Sequence, residues 1–272
     1  MADVEKSPFG VMTVIALALL AAAAAVFVSL GQWQLGRAEE RQVLAEQIDW
    51  GRTQPPLDLS VNTPTHDLLP WRPARVSGVW LSHLSVWLDN RNLEGRAGLW
   101  LATPLMLEGG KTLLVLRGWI ARPIGADPEP VVPTSKGPVQ IQGELLTHVP
   151  RMYELKSVRG EASTTATTGF PPGWPDSPTY AKHNATIAIP RVQNLELASF
   201  ADLTRLNMMP IVLMQTNDAK DGLTRQWPGP SVDFDKNRGY ALQWFSFAGI
   251  AMIAWLGIIW RTWRRYREKA AT

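Results

Sequence analysis

The chain has 272 residues, carries 27 Lys and Arg against 24 Asp and Glu, and contains no cysteine. A formal net charge of +3 gives no broad basic field, which argues against a nucleic-acid-binding protein. The lack of cysteine excludes disulfides, thiolate metal sites and cysteine nucleophiles.

Two uncharged apolar runs bracket the chain, at residues 11–30 and 241–260. A helix over either run spans about 30 Å, the thickness of the hydrocarbon core of a bilayer. The first run is longer than the apolar region of a signal peptide, which favours a retained anchor over a cleaved signal. The sequence therefore predicts transmembrane helices over residues 11–33 and 240–260.

The charges beside the second run predict the orientation of the chain. Five basic residues follow Trp260, and Trp260, Trp263 and Tyr266 form an aromatic belt. Cytoplasmic flanks are rich in Lys and Arg, so residues 1–10 and 261–272 are predicted to be cytoplasmic tails. The middle, residues 34–239, is then periplasmic in a bacterial inner membrane protein, or faces the intermembrane space in a mitochondrial one. The basic residues are Arg261, Arg264, Arg265, Arg267 and Lys269.

The first helix is predicted to leave the membrane and continue to residue 48, before Pro55-Pro56 breaks it. Residues 71–149 show the patterns of β-strands. The runs 98–107 and 111–120 are joined by Glu-Gly-Gly and predict a hairpin. Residues 139–146 alternate between apolar and polar, as a half-exposed strand does.

The rest of the middle domain is less regular. Residues 151–184 are rich in Ser, Thr, Pro and Gly, which predicts a long loop insertion. A short strand over 186–189, a helix over 195–206 capped by Asn194 and a last strand over 210–216 follow. The predicted fold class is a membrane α+β protein. Its two-helix transmembrane hairpin carries one mostly antiparallel, β-rich periplasmic domain with one or two helices.

No pattern in the sequence indicates an enzyme or a metal site. The four histidines, His66, His83, His148 and His183, have no metal-ligand spacing, and no nucleophile elbow, phosphate loop or dinucleotide fingerprint is present. Residues 89–92, Asp-Asn-Arg-Asn, are a polar cluster that a turn explains better than a site. Residues 117–119, Arg-Gly-Trp, indicate a bend or close packing, with Arg117 paired to a carboxylate or to loop carbonyls.

The junctions between each apolar run and the middle domain are the candidate functional region. Trp33 and Arg37 are i,i+4 neighbours on a helix, as are Tyr240 and Trp244 if the second helix begins early. Such residues either anchor a helix at the headgroup boundary or recognise a partner there, and both alternatives stay open. Small residues at 248, 251, 254 and 257 let the second helix pack on the first, or on a larger membrane protein.

Three segments, in this order, resemble the Surfeit-locus family of cytochrome c oxidase assembly factors. Residues 31–37 read Gly-Gln-Trp-Gln-Leu-Gly-Arg after the first span. Residues 113–123 end a strand in Arg-Gly-Trp-Ile-Ala-Arg-Pro, and residues 240–245 open the last span with Tyr-Ala-Leu-Gln-Trp-Phe.

The resemblance implies a non-enzymatic assembly factor for a haem–copper oxidase, acting on subunit I in the membrane at the step of haem a insertion. A lasting accessory subunit of an oxidase or supercomplex is the alternative. Implied partners are subunit I, other oxidase subunits and the lipid bilayer. Some bacterial members bind haem a, but Asn237 occupies the place of the family's candidate histidine ligand. The implied partner or haem contacts are Gln32, Trp33, Arg37, Arg238, Tyr240, Gln243 and Trp244.

Overall fold

The computed structural model describes residues 10–123, 130–152, 170, 174–175 and 189–270. The chain divides into two compact units. One consists of Met1–Glu46 with Pro230–Thr272, and the other is Gln47–Gly229. Residues 186–188 of the strand predicted over 186–189, and most of the predicted insertion at 151–184, lie outside the described residues.

Two long helices, α1 (Val11–Thr53) and α3 (Phe234–Ala270), dominate the first unit. α1 ends just before Gln54-Pro55-Pro56, where proline disfavours helix in the residue before it. α3 begins after Asp233, whose carboxylate accepts a hydrogen bond from the Lys236 amide at 3.3 Å and so caps the first turn.

Both helices are long and apolar enough to cross a membrane. Only 6% of the most apolar window of each is buried within the protein, unlike the core helix of a soluble protein. The predicted continuation of the first helix beyond the apolar run is confirmed, and it reaches Thr53. The early start of the second helix, six residues before Tyr240, is confirmed as well.

The second unit is built on a closed β-barrel. β2, β6, β8, β5 and β4 pair in that order, and the pairing of β2 with β4 at Trp80 and Leu105 closes the ring. β3 and β7 extend the sheet beyond β4, and β1 lies beside β2. The strands are β1 (Leu57–Asp58), β2 (Pro73–Trp80), β3 (Val86–Leu88), β4 (Gly98–Met106), β5 (Thr112–Ala121), β6 (Val139–Leu146), β7 (Arg191–Val192) and β8 (Met208–Gln215).

Opposite faces of the barrel strands contribute to two separate cores. Leu113, Val115 and Leu213 point to one side and pack with Val76 and Ile141 in the first cluster. The alternate residues of the same strands form the second cluster, which the helix α2 (Leu197–Thr204) covers through Phe200. β5 is buried on both faces, as its continuous apolar sequence predicts for a central strand.

The sheet is mostly antiparallel, as predicted, with five antiparallel and three parallel pairings in the described part of the chain. The β4–β5 hairpin is confirmed. The parallel pairing of β5 with β8 and the barrel closure were not predicted. The predicted cap of the short helix is wrong. α2 begins after Glu196, and the Asn194 side chain instead bonds the backbone amide and carbonyl of Met152 at 2.7 and 3.0 Å.

Candidate functional site

The facing sides of α1 and α3 form a seam at the positions where small residues recur. Ala24, Gly31 and Ala38 follow one another at intervals of seven, as do Ala241 and Ala248. A seven-residue repeat keeps one face of each helix directed at its neighbour. All of these residues are buried, as is Ala251. Of the two alternatives for the small residues, packing of the second helix on the first is therefore the one that the structure contains.

Aromatic side chains fill the apolar half of the seam. Phe27 stacks on Trp244 with ring centroids 5.8 Å apart, and Phe247 contacts both rings. A Cβ added to Gly31 would lie 2.7 Å from the ring of Phe245. Gly31 therefore provides the space into which Phe245 packs.

Beyond the aromatic residues, the seam turns polar. The Asn237 side-chain amide donates to Gln34 Oε1 at 2.6 Å, and its oxygen accepts from Arg41 Nη1 at 2.7 Å. Arg41 also donates to the Asp233 carbonyl at 3.1 Å. The next residue along each helix makes a further bond, in which Arg238 donates to Gln42 Oε1 at 2.6 Å. We call Gln34, Arg41 and Asn237 the amide clasp, because each side of Asn237 is bonded to α1.

Five of the seven predicted contact residues face away from the seam. Trp33 is 58% exposed and Tyr240 is 47% exposed, large values for aromatic side chains. Gln32 and Gln243 are exposed as well, and exposed Arg37 pairs with Glu40 at 2.8 Å. All five side chains are exposed in the hairpin unit.

The other two predicted residues, Trp244 and Arg238, are engaged in contacts between the legs. Sequence reasoning missed Phe27 and Arg41 as contact positions. The signal that could have found Arg41 is its spacing of ten residues from Gly31, which places the two on one helix face.

The predicted small-residue stripe of α3 is split between two surroundings. Ala248 and Ala251 face α1, whereas Ala254 and Gly257 are exposed. Small side chains on α1 leave an apolar cavity of about 450 Å³ bordered by Leu20, Ala21, Ala24, Ala25, Val28, Met252 and Trp255. The half of the stripe at Ala254 and Gly257 stays available for helix packing with another membrane protein.

A second cluster, of two arginines and an aspartate, lies buried in the barrel unit. The Arg117 guanidinium donates to Asp221 at 3.0 Å, and Arg225 contacts both oxygens of the same carboxylate at 2.8 Å. The three side chains are at most 7% exposed. Trp80 covers Arg117, with 4.9 Å between the guanidinium carbon and the ring centre.

Burial and charge act in opposite directions on this cluster. Burial works to raise the pKa of Asp221, but hydrogen bonds and charges from Arg225 and Arg117 outweigh it and hold that pKa below its usual 3.8. Burial lowers the pKa of Arg117, and the bond to Asp221 opposes that shift only in part. The cluster is thus an ionised triad kept intact by mutual pairing.

The Arg-Gly-Trp motif at 117–119 holds the chain segment 221–224 on the barrel. Arg117 bonds Asp221, and a Cβ on Gly118 would lie 2.7 Å from Leu223 Cβ. Trp119 exchanges two backbone hydrogen bonds with Thr224, at 2.7 and 2.8 Å. The predicted carboxylate pairing of Arg117 and close packing at Gly118 are therefore both confirmed. Among the described contacts, the motif has a structural role.

Arg91, in the polar cluster 89–92, is also buried. Its guanidinium donates to the Gln193 carbonyl at 2.9 Å and lies 4.7 Å from the Trp100 ring, with no carboxylate within 4 Å in the described part of the chain. Burial lowers the Arg91 pKa to about 10, and the charge of Asp89 offsets part of that shift. The chain bends at Asn90, which has a positive φ of 59°, and the hydrogen-bonded turn follows at residues 94–95 instead of within 89–92.

The described residues contain no group of three or more His, Asp or Glu side chains placed to hold a metal ion.

The chain is similar to known proteins along most of its length. The model of the SURF1 family matches residues 21–249. An uncharacterized SURF1-like protein of Mycobacterium bovis is 25% identical over 268 residues, covering 95% of this chain and 87% of the relative. A SURF1-like protein of Rickettsia felis is 30% identical over 98 residues, covering 35% of this chain and 42% of the relative. The family match includes most of the seam of both helices and every strand of the barrel.

Proposed function

Because the chain belongs to the SURF1 family, whose members are generally cytochrome oxidase assembly factors, we propose that it assists assembly of a haem–copper oxidase. The family match over residues 21–249 carries this proposal, since it extends from α1 through the barrel to α3. The proposed place of action is the bacterial inner membrane, on subunit I of the oxidase.

The proposed topology places both termini in the cytoplasm and residues 34–239 in the periplasm. It is supported by the two exposed apolar helices and by the arginines that follow Trp260, which the positive-inside rule retains in the cytoplasm. The junction of each helix with the middle domain then lies at the periplasmic membrane surface.

The proposed contact surface for the oxidase consists of Gln32, Trp33, Arg37, Tyr240 and Gln243. These side chains are exposed, whereas the seam and the amide clasp occupy the inner faces of the same helices. Trp and Tyr are the residue types that most often carry binding energy at interfaces. Anchoring alone explains the aromatic rings but not the exposed amides of Gln32 and Gln243.

Haem a is the cofactor that the resemblance implies, and the hairpin is poorly suited to coordinate its iron. All four histidines fall between residues 66 and 183, outside the hairpin unit. Asn237, at the family's histidine position, has both sides of its amide bonded to α1. We therefore propose that this protein acts at haem insertion through contact with subunit I, without iron ligation by Asn237 and without a catalytic step of its own.

Affinity purification of the full chain in mild detergent tests this function. We expect oxidase subunit I to co-purify with the native protein. The double variant Trp33→Ala/Tyr240→Ala should recover at least about tenfold less of it, since each buried aromatic anchor contributes on the order of 1–2 kcal/mol. Trp260→Ala is the matched control, because Trp260 is 62% exposed at the opposite end of the apolar run of α3.

Deletion of the gene provides the functional readout. We expect deletion to abolish oxidase activity. Expression of the native chain or of Trp260→Ala should restore the activity, and expression of the double variant should not. Normal oxidase activity in a deletion strain without a paralogue would contradict the proposal. Stoichiometric retention in mature, active oxidase would instead identify a lasting subunit.

A further inference from the structure

The end of α3 beyond the apolar run carries more positive charge than its own partners neutralise. Residues 261–268 contain four arginines and one glutamate, and all four arginines are exposed. Two of the four are engaged within the helix. Arg264 bonds Glu268 at 3.1 Å, and the guanidinium of Arg267 lies 3.8 Å from the Trp263 ring centre.

The remaining two, Arg261 and Arg265, lack such partners. Neither makes a hydrogen bond or ion pair with the residues that the structure describes. They stand four residues apart on a helix, so their Cβ atoms are about 5–6 Å from each other on one face. Two like charges at this spacing destabilise an isolated helix by a few tenths of a kcal/mol, a cost that an anion between them would remove.

Two guanidinium groups at this spacing suit a phosphate. A guanidinium presents a planar set of N–H donors that matches two phosphate oxygens, and neighbouring arginines can share one phosphate group. The aromatic side chains indicate the depth at which this end of α3 lies in the bilayer. Trp260 and Trp263 are 62% and 50% exposed, and such rings lie at the headgroup level of a bilayer. Arg261 and Arg265 are interleaved with them in the same two turns.

We propose that Arg261 and Arg265 form a binding site for the phosphate of an anionic phospholipid headgroup. The site rests on the proposed membrane placement of α3 and is independent of oxidase assembly. Resistance of the chain to extraction by alkaline carbonate checks that placement separately. The ligand is a lipid rather than a soluble phosphate because the aromatic belt places both arginines where lipid phosphates are concentrated.

The test is native mass spectrometry of the full-length protein released from detergent with added lipid. We expect retained phosphatidylglycerol on the native chain and little phosphatidylcholine. Arg261→Gln/Arg265→Gln should weaken phosphatidylglycerol retention at least about tenfold, as expected for two basic residues at an anionic surface. Arg264→Gln/Arg267→Gln removes the same charge from the same turns and should retain the lipid.

Three outcomes would overturn the site. Equal loss in both double variants would show a diffuse charge effect, equal retention of phosphatidylcholine would exclude selectivity for anionic lipid, and displacement by millimolar inorganic phosphate would identify a soluble ligand. If the glutamine variant does not fold, the variant Arg261→Lys/Arg265→Lys tests the site in its place. This variant keeps both charges but loses the planar donor set, and unchanged retention would contradict the site.

Discussion

At the scale of single residues, two buried arginine environments differ in their counter-charges. Arg117 and Arg225 share the Asp221 carboxylate, whereas the contacts of the Arg91 guanidinium among the described residues are a backbone carbonyl and an aromatic ring. The Asp221 carboxylate attracts both guanidinium groups, and Arg225 has a further carboxylate, Asp218, at 3.7 Å. A buried charge with no ionic partner keeps most of its desolvation cost.

The first prediction compares the removal of one member from each environment. Asp221→Asn removes the carboxylate that pairs with Arg117 and leaves Arg225 with the exposed Asp218 at 3.7 Å, and we expect it to reduce the free energy of unfolding by about 3–5 kcal/mol. Arg91→Met replaces a costly buried charge by an apolar chain of similar length, and we expect a change within about 1 kcal/mol or a gain in stability. Chemical unfolding of the full chain in detergent, followed by tryptophan fluorescence, measures both. Equal destabilisation by the two substitutions would contradict the distinction between them.

The second prediction concerns pH. Because the Asp221 pKa lies below 3.8 in the folded chain, the unfolded state takes up this proton first as the pH falls. The stability that the carboxylate contributes is therefore fully present above its ordinary pKa and is lost as the pH falls through the folded-state value. We expect the stability gap between the native chain and Asp221→Asn to be constant from about pH 7 to 5 and to narrow below about pH 4. A gap independent of pH down to about 2.5 would show that the carboxylate charge is not responsible.

At the scale of elements, two glycines of α1 differ only in what surrounds them. A Cβ on Gly31 would meet the ring of Phe245 at 2.7 Å, whereas nothing lies within 4 Å of one on Gly36. Alanine in place of a helical glycine stabilises by up to about 1 kcal/mol through helix propensity alone. We therefore predict that Gly36→Ala raises the unfolding temperature and that Gly31→Ala gives a smaller gain or a loss. The same gain in both would show that the seam can accommodate the added methyl group without cost.

Local chemistry made several elements predictable from sequence. Uninterrupted apolar runs identified α1 and α3, and a Glu-Gly-Gly turn between two apolar segments identified the β4–β5 hairpin. The parallel contact of β5 with β8 joins residues almost a hundred positions apart, so no local pattern encodes it. Closure of the barrel through Trp80 and Leu105 depends on the twist and register of five strands together.

Some residues of the candidate site could likewise be predicted from the sequence, and others could not. The exposed positions of Trp33 and Tyr240 follow from residue type at a membrane junction. The amide clasp could not be predicted from residue type, because Asn237 bonds Gln34 and Arg41 only when α3 is packed against α1. Asn194 illustrates the converse. Its residue type favours a helix cap, but the tertiary contact with Met152 uses both of its hydrogen-bonding groups.

At the scale of the whole molecule, the two units have different sources of stability. The barrel unit has apolar clusters on both faces of its strands and a buried ionised triad. The hairpin unit exposes most of its apolar surface and is held by a seam of small, aromatic and amide side chains. The apolar outer faces of such a unit need a lipid environment to be covered.

The proposed topology leads to the last prediction, for which a chain without cysteine is well suited. Glu108→Cys lies in the exposed turn after β4, and Glu268→Cys lies on the exposed end of α3 beyond the aromatic belt. In intact cells with a permeable outer membrane, a membrane-impermeant maleimide should label the Glu108→Cys protein and not the Glu268→Cys protein. Both should be labelled after lysis, which controls for thiol reactivity. The reverse pattern would show that the hairpin has the opposite orientation in the membrane. Labelling of both variants in intact cells would show that the end of α3 lies outside the cytoplasm.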